Sequence, residues 1–242
     1  MSFEDARRAL VEVEARLAES FGTDAAAELS VSEGATALLL AVVLRVGERT
    51  VKLEVDAAGS VSGGDVAILQ LAAQAVIGVR ALRLTRAARQ VLSIGYESEA
   101  RALDRIIIEL QAHRTAILAD ESGSEALAWL RGERGFGITK RVKAVTPDGL
   151  YKGLSHDSHG DPVPVFALFD AQEGHLQVAP RRTAATRASL AMHAGFARDQ
   201  AVLIASQAGV ELDGVDELDA AIRSAKEALD TEYEQRSDPS SA

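Results

Sequence analysis

Cysteine is absent from the 242 residues, and aromatic side chains are scarce at 4%. Without cysteine there is no disulfide, no thiolate metal site and no cysteine nucleophile, so any metal must be held by histidine and carboxylate side chains. The scarcity of aromatic rings argues against a surface on which nucleic acid bases stack. The formal net charge of −10 opposes general adhesion to DNA or RNA, because such binding depends on Lys and Arg contacts to phosphate.

Long apolar runs are also missing. The longest lies between Gly34 and Arg45, far short of the ~20 residues needed to cross a bilayer. The first residues, Met1 to Arg8, carry charges at helical intervals and lack the apolar core of a signal peptide. The composition is 47% hydrophobic and 26% charged, which is ordinary for a globular protein. We therefore expect a soluble, cytoplasmic protein with no membrane partner.

The N-terminal segment, residues 1–62, is predicted to hold an amphipathic helix from Phe3 to Phe21. Its later part is ambiguous. Val51 to Val55 alternate apolar and charged residues with period two, which favours a β-strand, whereas Val42 to Val46 fit a strand or a buried helix equally. We favour a β-hairpin formed by these two stretches.

A larger helical domain is predicted over residues 65–235. Its first long helix begins with Asp65 as N-cap and runs to about Ile94. Gly95 separates it from a second long helix that continues to Ala119, and two long helices joined by a tight break pack antiparallel. We predict a mainly α fold with an antiparallel four-helix-bundle core, one or two small β-hairpins and additional C-terminal helices.

The remaining elements of this domain follow from start signals and periodicity. Ser122 to Glu125 fit a capping box that opens a short helix, and Thr146 with Pro147 opens another that ends near Gly160. A small hairpin is predicted near residues 163–178.

Two further helices are predicted at the C-terminal end, over residues 183–208 and 215–235. The first has an Ala-rich seam, which allows close helix approach within one subunit or across a dimer. Residues 236–242 are expected to be a disordered tail.

The histidine segment, Tyr151 to Asp161, concentrates chemistry-bearing side chains. On a helix, Lys152, Ser155, His156 and His159 share one face. A histidine pair with a carboxylate can bind a divalent metal, for which His156, Asp157 and His159 are the candidates, with Asp161 or Glu109 completing the shell. A histidine beside a lysine can instead act as a general base next to bound phosphate. The alternative is a helix C-terminus whose dipole favours histidine.

A second candidate is a charged row on the second long helix, with one residue every four: Glu97, Arg101, Arg105, Glu109 and His113. Such a row is typical of successive ion pairs on a solvated helix face. In the sharper interpretation it turns inward, and Arg105 with Glu109 faces the histidine segment.

Basic residues form a third candidate, a contact surface for RNA phosphate or an acidic partner, against the simpler interpretation of a solvated face. The set is Arg80, Arg83, Arg86, Arg89, Arg131, Arg134, Lys140, Arg141 and Lys143. His175 and His193 have no partners nearby in sequence and are interpreted as structural.

The stretch Tyr96 to Leu110 followed by Leu150-Tyr151-Lys152-Gly153-Leu154-Ser155 ahead of His159 resembles uncharacterised bacterial helical proteins of the HEPN superfamily (higher eukaryotes and prokaryotes nucleotide-binding), over about residues 65–176. The resemblance implies a four-helix up-down bundle, often dimeric, of a kind found in RNA-cutting toxins and phage defence. The catalytic motif of that superfamily is an Arg and a His separated by four to six residues. Here six residues separate Lys152 from His159, so Lys152 stands where the family has Arg.

If activity is retained, the resemblance implies His159 as general base, Lys152 as phosphate stabiliser and His156 beside them. Arg105, Glu109, Tyr151 and Ser155 would support them. Since lysine cannot form the bidentate fork of arginine, the first hypothesis is a non-catalytic interaction or regulatory module, expected to be a homodimer with an RNA or protein partner. The alternatives are a metal-independent ribonuclease acting on phosphodiesters and a His/carboxylate metal protein. No cofactor is expected.

Overall fold

The protein is described by a computed structural model, which covers residues 3–47, 53–58, 60–133, 141–142, 145–146, 169–170, 175–176 and 184–237. The helices are α1 (Phe3–Asp24), α2 (Ala26–Gly47), α3 (Val66–Ser93), α4 (Glu97–Ala119), α5 (Ser124–Leu130), α6 (Ala184–Ala208) and α7 (Val215–Ser237). The strands are β1 (Glu54–Val55), β2 (Val61–Gly63), β3 (Phe169–Asp170) and β4 (His175–Leu176). The prediction of a mainly α fold is confirmed.

The hairpin predicted over residues 42–55 is wrong in its first half. Val42 and Val46 belong to α2, where they are buried together with Ala35 and Leu39 at steps of three and four. Burial against other helices therefore overrides the β propensity of the valines. The second half does form a strand, but β1 pairs antiparallel with β2, with Val55 opposite Val61.

The start of α3 follows the predicted capping. The Asp65 side chain accepts a hydrogen bond of 2.9 Å from the Ala67 backbone N–H. Gln70 Nε2 donates to the carbonyl oxygens of Ile117 and Asp120 at the far end of α4. The beginning of α3 thus lies beside the end of α4, and the predicted antiparallel pair is confirmed.

Helix α6 does not continue the up-down order of α3 and α4, because it runs in the same direction as α4. At the start of α2 and α6, Arg187 contacts Glu28. At the other end, Arg45 in the last turn of α2 donates to the carbonyl oxygen of Glu211, which follows α6. Glu97 at the start of α4 likewise contacts Thr186 at the start of α6. Helices α2, α4 and α6 therefore run in one direction, and α3 runs in the opposite one.

The main apolar core draws on α2, α3, α4 and α6, so α2 is part of the same core as the predicted 65–235 domain. Gly78 marks a close approach within it, because a methyl group built there would lie 2.9 Å from Ile204 Cδ1 and 3.3 Å from Leu39 Cδ1. The Ala-rich seam of α6 is buried as predicted, and it packs within the subunit. Its members are Leu190, Ala194, Ala197, Ala201 and Ile204.

The cap of α5 differs from the predicted box. The Asp120 carboxylate accepts from the Glu125 N–H at 2.8 Å and from the hydroxyl groups of Ser122 and Ser124. The Ser122 hydroxyl in turn accepts from the Ser124 N–H at 3.2 Å. The hydrogen bonds to the carboxylate, that of Ser122 first, lower the pKa of Asp120 to about 2. The turn before α5 is thereby held by a carboxylate that favours its ionised form.

The predicted hairpin near residues 163–178 is present in shorter form, with Phe169 opposite Leu176. The helix predicted after Thr146 lies outside the described residues; Thr146 itself closes a helical turn by donating to the Val142 carbonyl oxygen. Helix α7 extends to Ser237, two residues beyond its predicted end, and residues 238–242 lie outside the described residues.

Two helices, α2 and α3, are long and apolar enough to cross a membrane by length and composition alone. This is weak evidence for a membrane span, because core helices of globular proteins meet the same criterion. Here both contribute their most buried side chains, Leu39 and Ile77, to the shared core.

Candidate functional site

The charged row lies on α4, and an ion pair forms its centre. Arg105 Nε lies 3.1 Å from Glu109 Oε1, and both side chains are about three-quarters buried. Glu97, at the beginning of the row, accepts a hydrogen bond from Thr186 on α6. The row therefore contacts α6 at this end.

His113, at the end of the row, sits in a charged environment between α4 and α5. Its ring centroid is 6.4 Å from that of Trp129. Burial lowers the pKa of His113, and the positive charge of Arg141 lowers it further, while Glu109 and Glu125 oppose this shift. The neutral imidazole is favoured, which is the form that can accept a proton.

Arg141 connects this cluster to the next part of the chain. Its guanidinium lies 2.6 Å from Glu125 Oε1 on α5. The neighbouring Val142 is fully buried against Ile108 and Ala112 of α4. The chain is therefore anchored on the α4 surface ten residues before Lys152.

The predicted catalytic residues Lys152, His156 and His159 lie outside the described residues, as do Tyr151, Ser155 and the metal candidate Asp157. Of the predicted site, the structure describes Arg105 and Glu109. Among the residues that are described, no group of three or more His, Asp or Glu side chains is placed to hold a metal ion.

A polar cluster that sequence reasoning missed lies between α4 and α6. His193 is fully buried, and its Nε2 is 2.7 Å from Oδ1 of Asp104, which is 5% exposed. Ser189 donates a 2.7 Å hydrogen bond to the same carboxylate oxygen. The imidazole N–H direction is poorly aligned with the carboxylate, so the contact is electrostatic rather than a well-directed hydrogen bond.

The partners of His193 thus include a residue from a distant segment, and its fully buried position fits the structural role expected for it. Ser189 and His193 are four residues apart on α6, a spacing that places them on one helix face. The serine contacts the aspartate and not the histidine, and all three are enclosed in the core. This is not the order that activates a serine nucleophile, which needs a Ser–His contact.

A second buried ion pair lies at the same end of the helices. Glu28 of α2 is 1% exposed, and its Oε1 is 2.6 Å from an Arg187 nitrogen on α6. The buried carboxylates Glu28 and Asp104 therefore each have a partner on α6. At this end of the bundle, polar contacts therefore connect α6 to both α2 and α4.

The basic residues of the third candidate have different surroundings and do not all share one surface. Arg80, Arg83 and Arg86 are exposed on α3. Arg131, in contrast, donates to the carbonyl oxygens of Val61 and Ser62 and so attaches α5 to the first hairpin. Arg134, Lys140 and Lys143 lie outside the described residues.

An exposed apolar surface on α2 was also missed. Among the described residues, the exposed large apolar side chains are Val11, Leu40, Leu44, Val55, Val76 and Leu118. Only Leu40 and Leu44 share an element, and with the exposed Ala37 and Ala41 they form one helical stripe, which we call the α2 face. The sequence feature that indicates this face is the apolar run from Gly34 to Arg45. It contains more apolar residues than the buried side of one helix can hold.

Comparisons with protein-family models, with curated proteins and with solved structures gave no match to this chain.

Proposed function

We propose that the protein is a helical interaction module of regulatory type, which acts as a cytoplasmic homodimer through the α2 face. The observation that carries this proposal is the exposed stripe Ala37, Leu40, Ala41 and Leu44, with Leu44 57% exposed. Contiguous exposed apolar surface usually marks an interaction site. Steps of three and four residues suit packing against another helix.

A second copy of the chain is the partner that the surroundings of this stripe favour. A two-fold dimer needs a surface that is complementary to itself. If two α2 helices cross antiparallel about residue 39, Ala37 of one faces Ala41 of the other. Glu33, which lies 3.7 Å from Arg89 in its own subunit, then approaches Arg45 of the second copy. The face spans about 11 Å of helix, from Ala37 to Leu44, and such a small contact predicts a weak, concentration-dependent dimer.

The test is sedimentation velocity over a range of protein concentrations. We expect the wild type to dimerise and Leu44→Glu to remain monomeric, because a charge would be buried at the interface. Val76→Glu is the matched control, since Val76 is 47% exposed on α3, and it should dimerise normally. Glu33→Arg and Arg45→Glu should each weaken the dimer, and their combination should restore it.

A wild type that stays monomeric throughout, or an equal loss in Val76→Glu, would reject the dimer. If the monomer binds lipid vesicles through the α2 face, the partner is a membrane surface and the dimer is rejected. Circular dichroism of each variant shows whether its helices are retained.

The finer fold assignment, a HEPN-like bundle over about residues 65–176, is part of the same proposal. The antiparallel α3–α4 pair supports it, and the parallel helix α6 lies outside that range. A role in bacterial stress, toxin or phage-defence systems is what this resemblance implies.

A metal-independent ribonuclease is the second candidate. The observation that favours it is the burial of Val142, ten residues before Lys152, against Ile108 and Ala112 of α4. This candidate predicts RNA cleavage in the presence of a chelator, lost in His159→Ala and Lys152→Ala. If the wild type does not cleave RNA, the ribonuclease is rejected and the interaction module is favoured. Stoichiometric metal in untagged protein would instead favour a metal site at His156, Asp157 and His159.

A further inference from the structure

A groove with a volume of about 670 Å³ lies between α4 and α6, apart from the α2 face. Its apolar lining includes Leu118, which is 41% exposed, together with Val202 and Leu203. The hydroxyl groups of Thr115 and Ser206 also line it. The volume falls within the range of small-ligand sites, about 300–1,000 Å³.

Arg114 supplies positive charge to this groove. Its guanidinium carbon lies 5.1 Å from the ring centroid of Phe196, a cation–π contact. Burial lowers the pKa of Arg114, and the negative charge of Asp199 opposes this shift. In the part of the chain that the structure describes, the Arg114 guanidinium donates no hydrogen bond to protein.

The other charges of the groove compensate one another. Arg198 donates to Asp199 at 3.1 Å and forms a two-point contact with Asp219 of α7. Arg114 is therefore the lining cation whose hydrogen-bonding capacity remains for a ligand. A guanidinium pairs best with a planar anion such as a carboxylate, which accepts two parallel hydrogen bonds.

We propose that this groove binds a small carboxylate that carries an unbranched apolar chain, with the carboxylate at Arg114 and the chain along Leu118, Val202 and Leu203. The α6 side of the groove, from Arg198 to Ser206, is about 12 Å long, which matches a chain of roughly ten carbons. Charge complementarity with Arg114 sets the head group, and the apolar lining sets the tail.

Titration calorimetry with decanoate, decanol and decylammonium, each below its aggregation concentration, tests this site. Decanoate should bind at least about tenfold more tightly than decanol, as expected for a hydrogen-bonded charge pair, and decylammonium should bind most weakly. Arg114→Gln should reduce decanoate affinity to that of decanol. Arg83→Gln is the matched control, because Arg83 is exposed on α3, and it should leave decanoate binding unchanged.

Ser206→Trp is a second variant that keeps Arg114 and fills the groove, and it should abolish decanoate binding. Equal affinity for decanoate and decanol, or unchanged decanoate binding in Arg114→Gln, would overturn the proposal. Binding of an acidic amphipathic peptide without binding of decanoate would also overturn it.

Discussion

Replacement of Asp104 by alanine removes the carboxylate that both Ser189 and His193 contact at 2.7 Å. The partners remain in the core, because His193 is fully buried and Ser189 is 7% exposed. Loss of one member of a buried polar pair costs about 3–5 kcal/mol, since the other member stays desolvated. For a chain of this size, that change lowers the melting temperature by about 6–20 °C.

Urea unfolding, followed by the helical circular dichroism signal, measures this loss directly. Ser189→Ala should cost about 1 kcal/mol, because it removes one hydrogen bond to the carboxylate. Glu133→Ala is the control: its ion pair with Arg131 is exposed and 3.5 Å long, so the change should stay within ~0.5 kcal/mol. The double change Asp104→Leu with His193→Leu should cost less than the sum of its single changes, because neither partner is left alone.

If Asp104→Ala costs less than ~1 kcal/mol, or no more than Glu133→Ala, the reasoning is refuted. The carboxylate would then be as well solvated as a surface group, and the α4–α6 contact would not depend on it.

Two further outcomes are expected from the same structure. Gly195→Ala on α6 should stabilise the protein by about 0.5–1 kcal/mol through helix propensity, because nothing lies within 4 Å of the added methyl group. Gly78→Ala should be less stable than Gly195→Ala by about 1–3 kcal/mol, because its methyl group crowds Ile204. Equal urea midpoints for the two variants would contradict this. The lowered pKa of His113 means that the unfolded chain binds a proton more readily than the native one, so the unfolding free energy should fall as the pH drops below about 6.5. His113→Gln should remove this part of the pH dependence of the melting temperature, and an unchanged profile would contradict the assignment.

Sequence patterns sufficed where a structure depends on neighbours in the chain. Asp65 caps α3 because a cap needs only the next two residues, and the α6 seam follows from a regular 3.6-residue period. Val42 to Val46 were assigned wrongly because their β propensity and their burial in a helix give the same local pattern. Only the packing of α2 against α3 and α6 distinguishes the two.

The polar contacts also include one that a local pattern predicts and one that it does not. Arg105 and Glu109 were predicted as a pair because four residues on one helix bring their side chains together. Asp104 and His193 are 89 positions apart, so no local period connects them. Their contact depends on the packing of α4 against α6, which no local pattern specifies.

The sequence by itself determined the helical class, most helix boundaries and the buried seams, since helices are local structures whose apolar period is written along one chain segment. The tertiary structure alone decided the direction of α6, the exposure of the α2 face and the isolation of Arg114 in a groove. Each of these depends on which residues of distant segments cover one another, and burial of that kind is a property of the assembled helices rather than of any one of them.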